Sequence, residues 1–152
     1  MQKQTVELHD RIDQMLTEAR VVLPGAQAML GFQLIVTLVP AFEQLPDTTR
    51  NVHFLSLAMV TLSIAILLAP AAIHRLGYDG EDDDRFYRQG SALVTAALAP
   101  LALGIAGDIY VAMWKLSGNT ELPAIAGSGM LIVLLTLWYF WPLIVRARQS
   151  GP

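Results

Sequence analysis

Long uncharged stretches alternate with short polar segments along this chain. Residues 21–42, 52–73 and 122–145 contain no Asp, Glu, Lys or Arg, and residues 91–114 contain one such residue, Asp108. Each stretch is long enough to cross the hydrocarbon core of a bilayer as an α-helix, which rises about 1.5 Å per residue. The pattern therefore predicts four membrane-spanning helices in a single domain, residues 21–145.

The segment before the first stretch has an amphipathic helical pattern instead. Its apolar residues return every three or four positions, and polar and charged side chains occupy the other face. Residues 1–20 are therefore predicted to form a helix on the cytoplasmic side of the membrane. Pro24 disfavours helical geometry in the residue before it, so we expect this helix to end near Val22. Because it lacks the Lys and Arg excess of a membrane-surface anchor, we expect it to pack against protein. Its apolar positions are Leu8, Ile12, Met15, Leu16 and Ala19.

Small residues recur at helical spacing on the second and third predicted spans. Such residues let two helix backbones approach closely in lipid. Since a chain of this size encloses little interior, we expect a homo-oligomer or contact with a membrane protein partner. The small-residue stripe of the second span consists of Ala58, Thr61, Ala65, Ala69 and Ala72, and that of the third consists of Ala92, Ala96, Pro100, Gly104, Asp108 and Ala112.

The basic residues predict the orientation. Eight Lys and Arg residues fall in the N-terminal segment, the link between spans two and three and the C-terminal segment, against two, Arg50 and Lys115, in the other links. Basic residues favour the cytoplasmic side, so both termini, including the tail at 146–152, are predicted to be cytoplasmic.

Composition agrees with a membrane protein and excludes other classes. The chain is 54% hydrophobic and 15% charged, whereas soluble domains carry about 25% charged residues. It has no cysteine, which excludes disulfides and cysteine-ligated metals. A net charge of −3 without a basic stripe argues against nucleic acid as a partner. The predicted fold class is all-α, an integral membrane four-helix bundle in the lipid bilayer with an N-terminal cytoplasmic amphipathic helix.

Asp108 is the residue most suited to chemistry. A charged side chain at the centre of a span costs about 3 kcal/mol, so such residues commonly mark proton or ion sites. Glu43 and His53 flank the first link at a similar membrane depth and could join Asp108 in an outer site for a proton or cation. The alternative is that Asp108 is hydrogen-bonded to a Ser, Thr or Gln on a neighbouring helix and only locks the bundle.

Other polar residues have more ordinary interpretations. Gln27 and Gln33 point about 120° apart on one helix, so each is expected to make its own interhelical contact. His74 and Arg75 could contact a lipid headgroup at the inner end of span two. His53 and His74 lie about 31 Å apart on one helix and cannot ligate one haem iron within a chain. No catalytic motif, metal site or cofactor is predicted.

Two segments, TEARVVLPGAQAMLGFQ at 17–33 and APAAIHRL at 69–76, resemble a family of small bacterial four-span membrane proteins of unknown function. Some members of that family carry a sodium:proton antiporter label. The resemblance covers most of the chain and implies four helices in a bacterial inner (plasma) membrane.

Two main functions remain open. The first is a non-catalytic membrane protein that scaffolds or regulates a partner. The second is an oligomeric proton or monovalent-cation channel or transporter that uses Asp108. A lipid-binding or membrane-enzyme role is a third, weaker alternative. A common water-reachable cavity at Asp108 and the two glutamines would favour transport, and separate hydrogen-bond partners in a dry bundle would favour the scaffold.

Overall fold

Helices make up all of the regular structure described. The computed structural model describes residues 2–78, 81 and 83–149, with side chains from residue 7 onward. Asp79, Gly80 and Asp82 of the acidic link and the last three residues of the predicted tail lie outside the described residues. The elements are α1 (Gln2–Thr37), α2 (Pro40–Glu43), α3 (Asp47–Gly77), α4 (Asp84–Ser117), α5 (Glu121–Leu135), a π-helical turn (Thr136–Phe140) and α6 (Trp141–Gln149).

Four helices in the described part of the chain are long and apolar enough to cross a membrane. They run over Glu7–Thr37, Asp47–Gly77, Asp84–Ser117 and Glu121–Gln149. The predicted all-α fold with four apolar helices is thereby confirmed. Each helix extends beyond its uncharged stretch, because charged residues at a helix end can reach water while the backbone remains hydrogen-bonded.

The first helix corrects one prediction. We expected a break near Val22, but α1 continues through Pro24 to Thr37. Proline removes one backbone hydrogen bond, and in a bundle the packing of neighbouring helices can compensate. Here Ala19, Val22 and Leu23 pack against Leu67 of α3 and Ala97 of α4. Residues on the N-terminal side of the proline are thus held on the same bundle as the rest of α1.

The amphipathic segment packs on its own chain. Ile12 and Met15 are buried with Phe86, the first large apolar residue of α4. Gly90 makes room for this contact, because a Cβ at that position would lie 2.5 Å from the Met15 sulfur. The apolar face of the segment is therefore occupied within the chain, which is the packing against protein that its charge pattern favours.

Helix α4 is the centre of the bundle and contacts α1, α3 and α5. Its contact with α3 is close, because a Cβ on Gly104 would overlap Val60, and one on Gly107 would overlap Ser56. The Ser63 hydroxyl donates a hydrogen bond of 2.8 Å to the carbonyl oxygen of Ala97. The middle of the predicted stripe on α4 is thus buried against α3.

The small-residue stripe on α3 has the opposite environment. Helix α3 buries a face that includes His53, Val60 and Leu67, and the stripe lies on the other side of the helix at about 100° per residue. Its members are exposed, except for Ala69, which is half-buried. The helices in the described part of the chain therefore leave most of the stripe uncovered.

The two ends of the bundle are closed in different ways. At the arm end, where residues 2–20 lie, the Asp83 side chain caps α4 by accepting hydrogen bonds from the backbone N–H groups of Arg85 and Phe86. At the distal end, α4 stops at Gly118, whose φ of 66° is the left-handed conformation that glycine adopts readily. Phe42 and Leu45 cover the distal end by packing on Val111.

Candidate functional site at the distal end

Asp108 on α4 and Gln33 on α1 form a direct polar contact between helices. The Gln33 Nε2 group donates to both carboxyl oxygens of Asp108, at 2.9 Å to Oδ1 and 2.8 Å to Oδ2. Gln33 is only 3% exposed, and Asp108 is half-buried. The carboxyl group therefore has a hydrogen-bond donor inside the predicted membrane region.

His53 adds the third helix to this site. Its Nε2 lies 3.0 Å from the backbone carbonyl oxygen of Gln33. A carbonyl oxygen can only accept, so Nε2 carries the hydrogen and donates. The imidazole is 2% exposed, and the ring of Phe42 meets it edge-on with centroids 5.1 Å apart. Gln33 thus holds α4 through its side chain and α3 through its backbone.

These polar groups lie at one end of a cleft of about 370 Å³ that is open on one side. Its walls come from α1, α2, α3 and α4 and are mainly apolar. Lys115, exposed and two helical turns beyond Asp108, lies at the rim. The remaining apolar lining is Met29, Phe32, Val36, Val39, Ala41, Phe42, Leu45, Val111 and Ala112. A mostly apolar cleft with a few convergent polar groups is the usual form of a small-molecule site.

At the distal end of the bundle, two polar atoms are buried without a hydrogen-bond partner among the described residues. They are the Oε1 atom of Gln33 and the hydroxyl of Thr49, which lies one turn before His53 on α3. Buried polar atoms in proteins are nearly always paired, with protein, water or a ligand. The carbonyl oxygen of the Gln33 amide, which can only accept, and the Thr49 hydroxyl, which can donate or accept, therefore lack the hydrogen bond that buried polar atoms usually make.

The other predicted site residues lie elsewhere. Glu43 is exposed on α2 at the same end, but it does not line the cleft. Gln27 is exposed on α1, about 120° around the helix from Gln33, and within the described residues it makes no hydrogen bond to another helix, although an interhelical contact was expected. At the arm end, the His74 ring packs on Phe86 at 4.7 Å, whereas Arg75 is exposed. The structure thus joins Asp108, Gln33 and His53 and leaves the remaining candidates apart.

Sequence reasoning missed Lys115 and the aromatic cover of the site. Lys115 served only to predict orientation, although its spacing of seven residues from Asp108 puts both on one helix face. Phe42 could not be assigned, because it lies in the short link before α3, and no periodicity marks its ring contacts with His53 and Phe54. Within the described residues, no group of three or more His, Asp or Glu side chains could hold a metal ion. The arrangement is suited to binding through hydrogen bonds and charge.

Comparisons with known proteins identify one family. No curated protein and no solved structure matches the chain. A family model described as "Family of unknown function (DUF6328)" matches residues 3–142, which is nearly the whole chain. The membrane protein described here therefore belongs to the DUF6328 family.

Proposed function

We propose that this protein is a non-catalytic multi-pass protein of the bacterial inner membrane, with both termini cytoplasmic, that scaffolds or regulates a membrane partner. The observation that carries the proposal is the outward direction of the small-residue stripe on α3. Ala58, Thr61, Ala65 and Ala72 are exposed on the side of α3 away from its own bundle.

The way in which helices pack in lipid explains why an exposed stripe of small residues is suited to binding another helix. Lipid chains are as apolar as a leucine side chain, so helices associate in membranes through close van der Waals packing and interhelical hydrogen bonds rather than the hydrophobic effect. Small residues allow that close approach, and α4 uses them in this way at Gly104 against Val60. A second set of small residues on the free side of α3 supports docking of a further helix, from another copy or from a partner protein.

Site-specific cross-linking in native membranes tests the proposal. A photo-reactive amino acid replaces Ala65 on the stripe or, as the matched control, Ile132 on α5. Ile132 is 64% exposed and lies near the middle of the fourth apolar helix, Glu121–Gln149. We expect a discrete cross-linked product from position 65 only. The mass of two chains would identify a homo-oligomer, and another single mass would identify a partner. Equal or diffuse products from both positions would contradict the proposal.

A second candidate function is an oligomeric proton or monovalent-cation channel or transporter. It is supported by the open cleft that Asp108, Gln33 and His53 share. Within one chain the α3–α4 contact beyond this cleft is closely packed, since Val60 and Ala97 are 0% exposed and Leu67 is 2% exposed. The buried Ser63 hydroxyl in this contact is hydrogen-bonded to the carbonyl oxygen of Ala97. A route across the membrane would therefore have to run between copies.

Ion flux in liposomes tests this second candidate. Purified protein and the Asp108→Asn variant are inserted into vesicles that contain a pH-sensitive dye, under a proton, sodium or potassium gradient. Transport through Asp108 predicts flux that the variant lacks. Flux equal to that of empty vesicles, from protein shown to be folded and inserted, would exclude transport of these ions and leave the scaffold function.

A further inference from the structure

We propose that the distal cleft binds an amphiphile that carries a protonated amine. Its ammonium group binds at Asp108, and its apolar body lies along the walls formed by α1, α2 and α4. This inference does not depend on the scaffold function, because the cleft and the stripe on α3 are on different parts of the molecule.

The first argument is charge. Asp108 lies in a membrane-spanning helix, and among the described residues no Lys or Arg forms an ion pair with it. Gln33 donates hydrogen bonds to the carboxyl oxygens but brings no positive charge. An ionised group in such surroundings is stabilised by an opposite charge that is also hydrogen-bonded. A ligand ammonium supplies both.

The second argument is the set of hydrogen-bond acceptors. An alkylammonium group has three N–H donors and no acceptor. The carboxyl group of Asp108 has about four lone-pair sites, and Gln33 occupies two of them. The Oε1 atom of Gln33 belongs to the amide that donates to Asp108, and it is buried without a partner among the described residues. A bound ammonium can donate to the free lone pairs of the carboxylate, and a rotation of the Gln33 amide would bring this buried oxygen within its reach.

The third argument is the shape and lining of the rest of the cleft. A volume of about 370 Å³ falls within the range of small-molecule sites, about 300–1,000 Å³. Beyond the polar end the walls are aliphatic and aromatic, and Phe32 at the open side is 70% exposed. An apolar chain that enters sideways from the bilayer would be covered by these walls, whereas a small hydrated ion would leave them uncovered.

Lys115 distinguishes two sources of the ammonium group, a free lipophilic amine and the headgroup of a lipid. It lies at the rim, about 10 Å along α4 from Asp108. The positive charge of Lys115 would weakly repel the ammonium group of a simple lipophilic amine. For a phosphatidylethanolamine headgroup it is a partner for the phosphate, while the amine reaches Asp108.

Binding is tested with the full chain in nanodiscs of phosphatidylcholine, whose headgroup has no N–H donor. The probes are radiolabelled dodecylamine and, as a neutral match, dodecanol, with empty nanodiscs subtracted. An alkylamine is protonated at pH 7, as a lysine side chain is. We expect saturable binding of dodecylamine and only unsaturable partition of dodecanol.

Variants locate the binding. Asp108→Asn is expected to weaken dodecylamine binding about tenfold or more, because a charge-assisted hydrogen bond is lost. Glu43→Gln removes an equal charge at the same end but outside the cleft and should bind as the wild type does. Ala112→Phe fills the cleft without changing its charge and should also weaken binding.

The affinities of these variants decide whether the proposal holds. Equal affinity of the wild type and Asp108→Asn, or saturable dodecanol binding of similar strength, would overturn the proposal. If Asp108→Asn does not fold, Ala112→Phe decides, and wild-type affinity in that variant would overturn the proposal as well.

A final arm identifies the source. Nanodiscs with added phosphatidylethanolamine are compared for the wild type and Lys115→Gln by native mass spectrometry. Loss of retained phosphatidylethanolamine in Lys115→Gln, with dodecylamine affinity unchanged, would assign the site to the lipid headgroup. Unchanged lipid retention together with dodecylamine affinity that is equal or higher would assign it to a free amine.

Discussion

Gln33 connects more of the distal site than any other residue. Its side chain holds Asp108 on α4, and its backbone carbonyl oxygen accepts from His53 on α3. Three helices from distant parts of the sequence therefore meet at one amide-bearing residue. Polar residues in predicted spans could be found from the sequence, but the pairing of Gln33 with Asp108 could not, because it depends on the axial register and rotation of two helices 75 residues apart.

Removing the Gln33 amide should destabilise the bundle. Gln33→Leu leaves the half-buried Asp108 carboxyl without its donor, and an unsatisfied buried polar group costs about 1–3 kcal/mol. We expect the free energy of unfolding, measured by titration with sodium dodecyl sulfate in mixed micelles, to fall by about 1 kcal/mol or more.

Gln27→Leu provides the matched control. Gln27 is on the same helix but exposed, so its replacement by leucine on a lipid-facing surface should leave the free energy of unfolding unchanged or raise it slightly. Equal destabilisation by both substitutions would show that the Gln33–Asp108 contact contributes nothing specific.

At the scale of elements, the position of α4 depends on glycine. Gly104 faces Val60, and a Cβ there would also lie 3.2 Å from the backbone carbonyl oxygen of Ser56. A backbone atom cannot rotate away as a side chain can, so the two helices would have to separate. The periodicity of small residues on α4 predicted close packing, but it did not show that α3 is the helix against which they pack.

Gly104→Ala should therefore destabilise the α3–α4 contact by about 1–3 kcal/mol, the usual cost of overpacking. Gly129→Ala on α5 is the control, because a Cβ there meets nothing within 4 Å. Both substitutions raise helix propensity by about 1 kcal/mol, so their difference in the same micelle titration reports packing. A Gly104→Ala variant as stable as Gly129→Ala would contradict the close contact.

On the scale of the whole molecule, the arm end and the distal end differ in their share of Lys and Arg residues and in the structural features that they contain. The arm end is held by Ile12, Met15 and Phe86, and the distal end carries the cleft. The positive-inside rule predicts that the arm end is cytoplasmic, so the cleft would open near the outer surface of the membrane.

Single cysteines test this orientation, since the chain has none of its own. Thr48 at the distal end and Gln14 on the polar face of the arm are both exposed. With a membrane-impermeant maleimide, we expect Thr48→Cys to be labelled in intact cells and Gln14→Cys only after the membrane is permeabilised. The reverse pattern would show that the protein is inserted the other way.

The sequence by itself determined the four apolar helices and the amphipathic pattern of the first twenty residues. These follow from the absence of charge over a bilayer's thickness and from helical periodicity, which are local properties. It wrongly predicted a break near Val22, because a local rule about proline took no account of packing against α3 and α4. Only the tertiary structure decided that Gln33, His53 and Asp108 share one cleft, that the arm packs on Phe86 and that the stripe on α3 faces outward. Each of these depends on how helices far apart in the chain are rotated and shifted against one another.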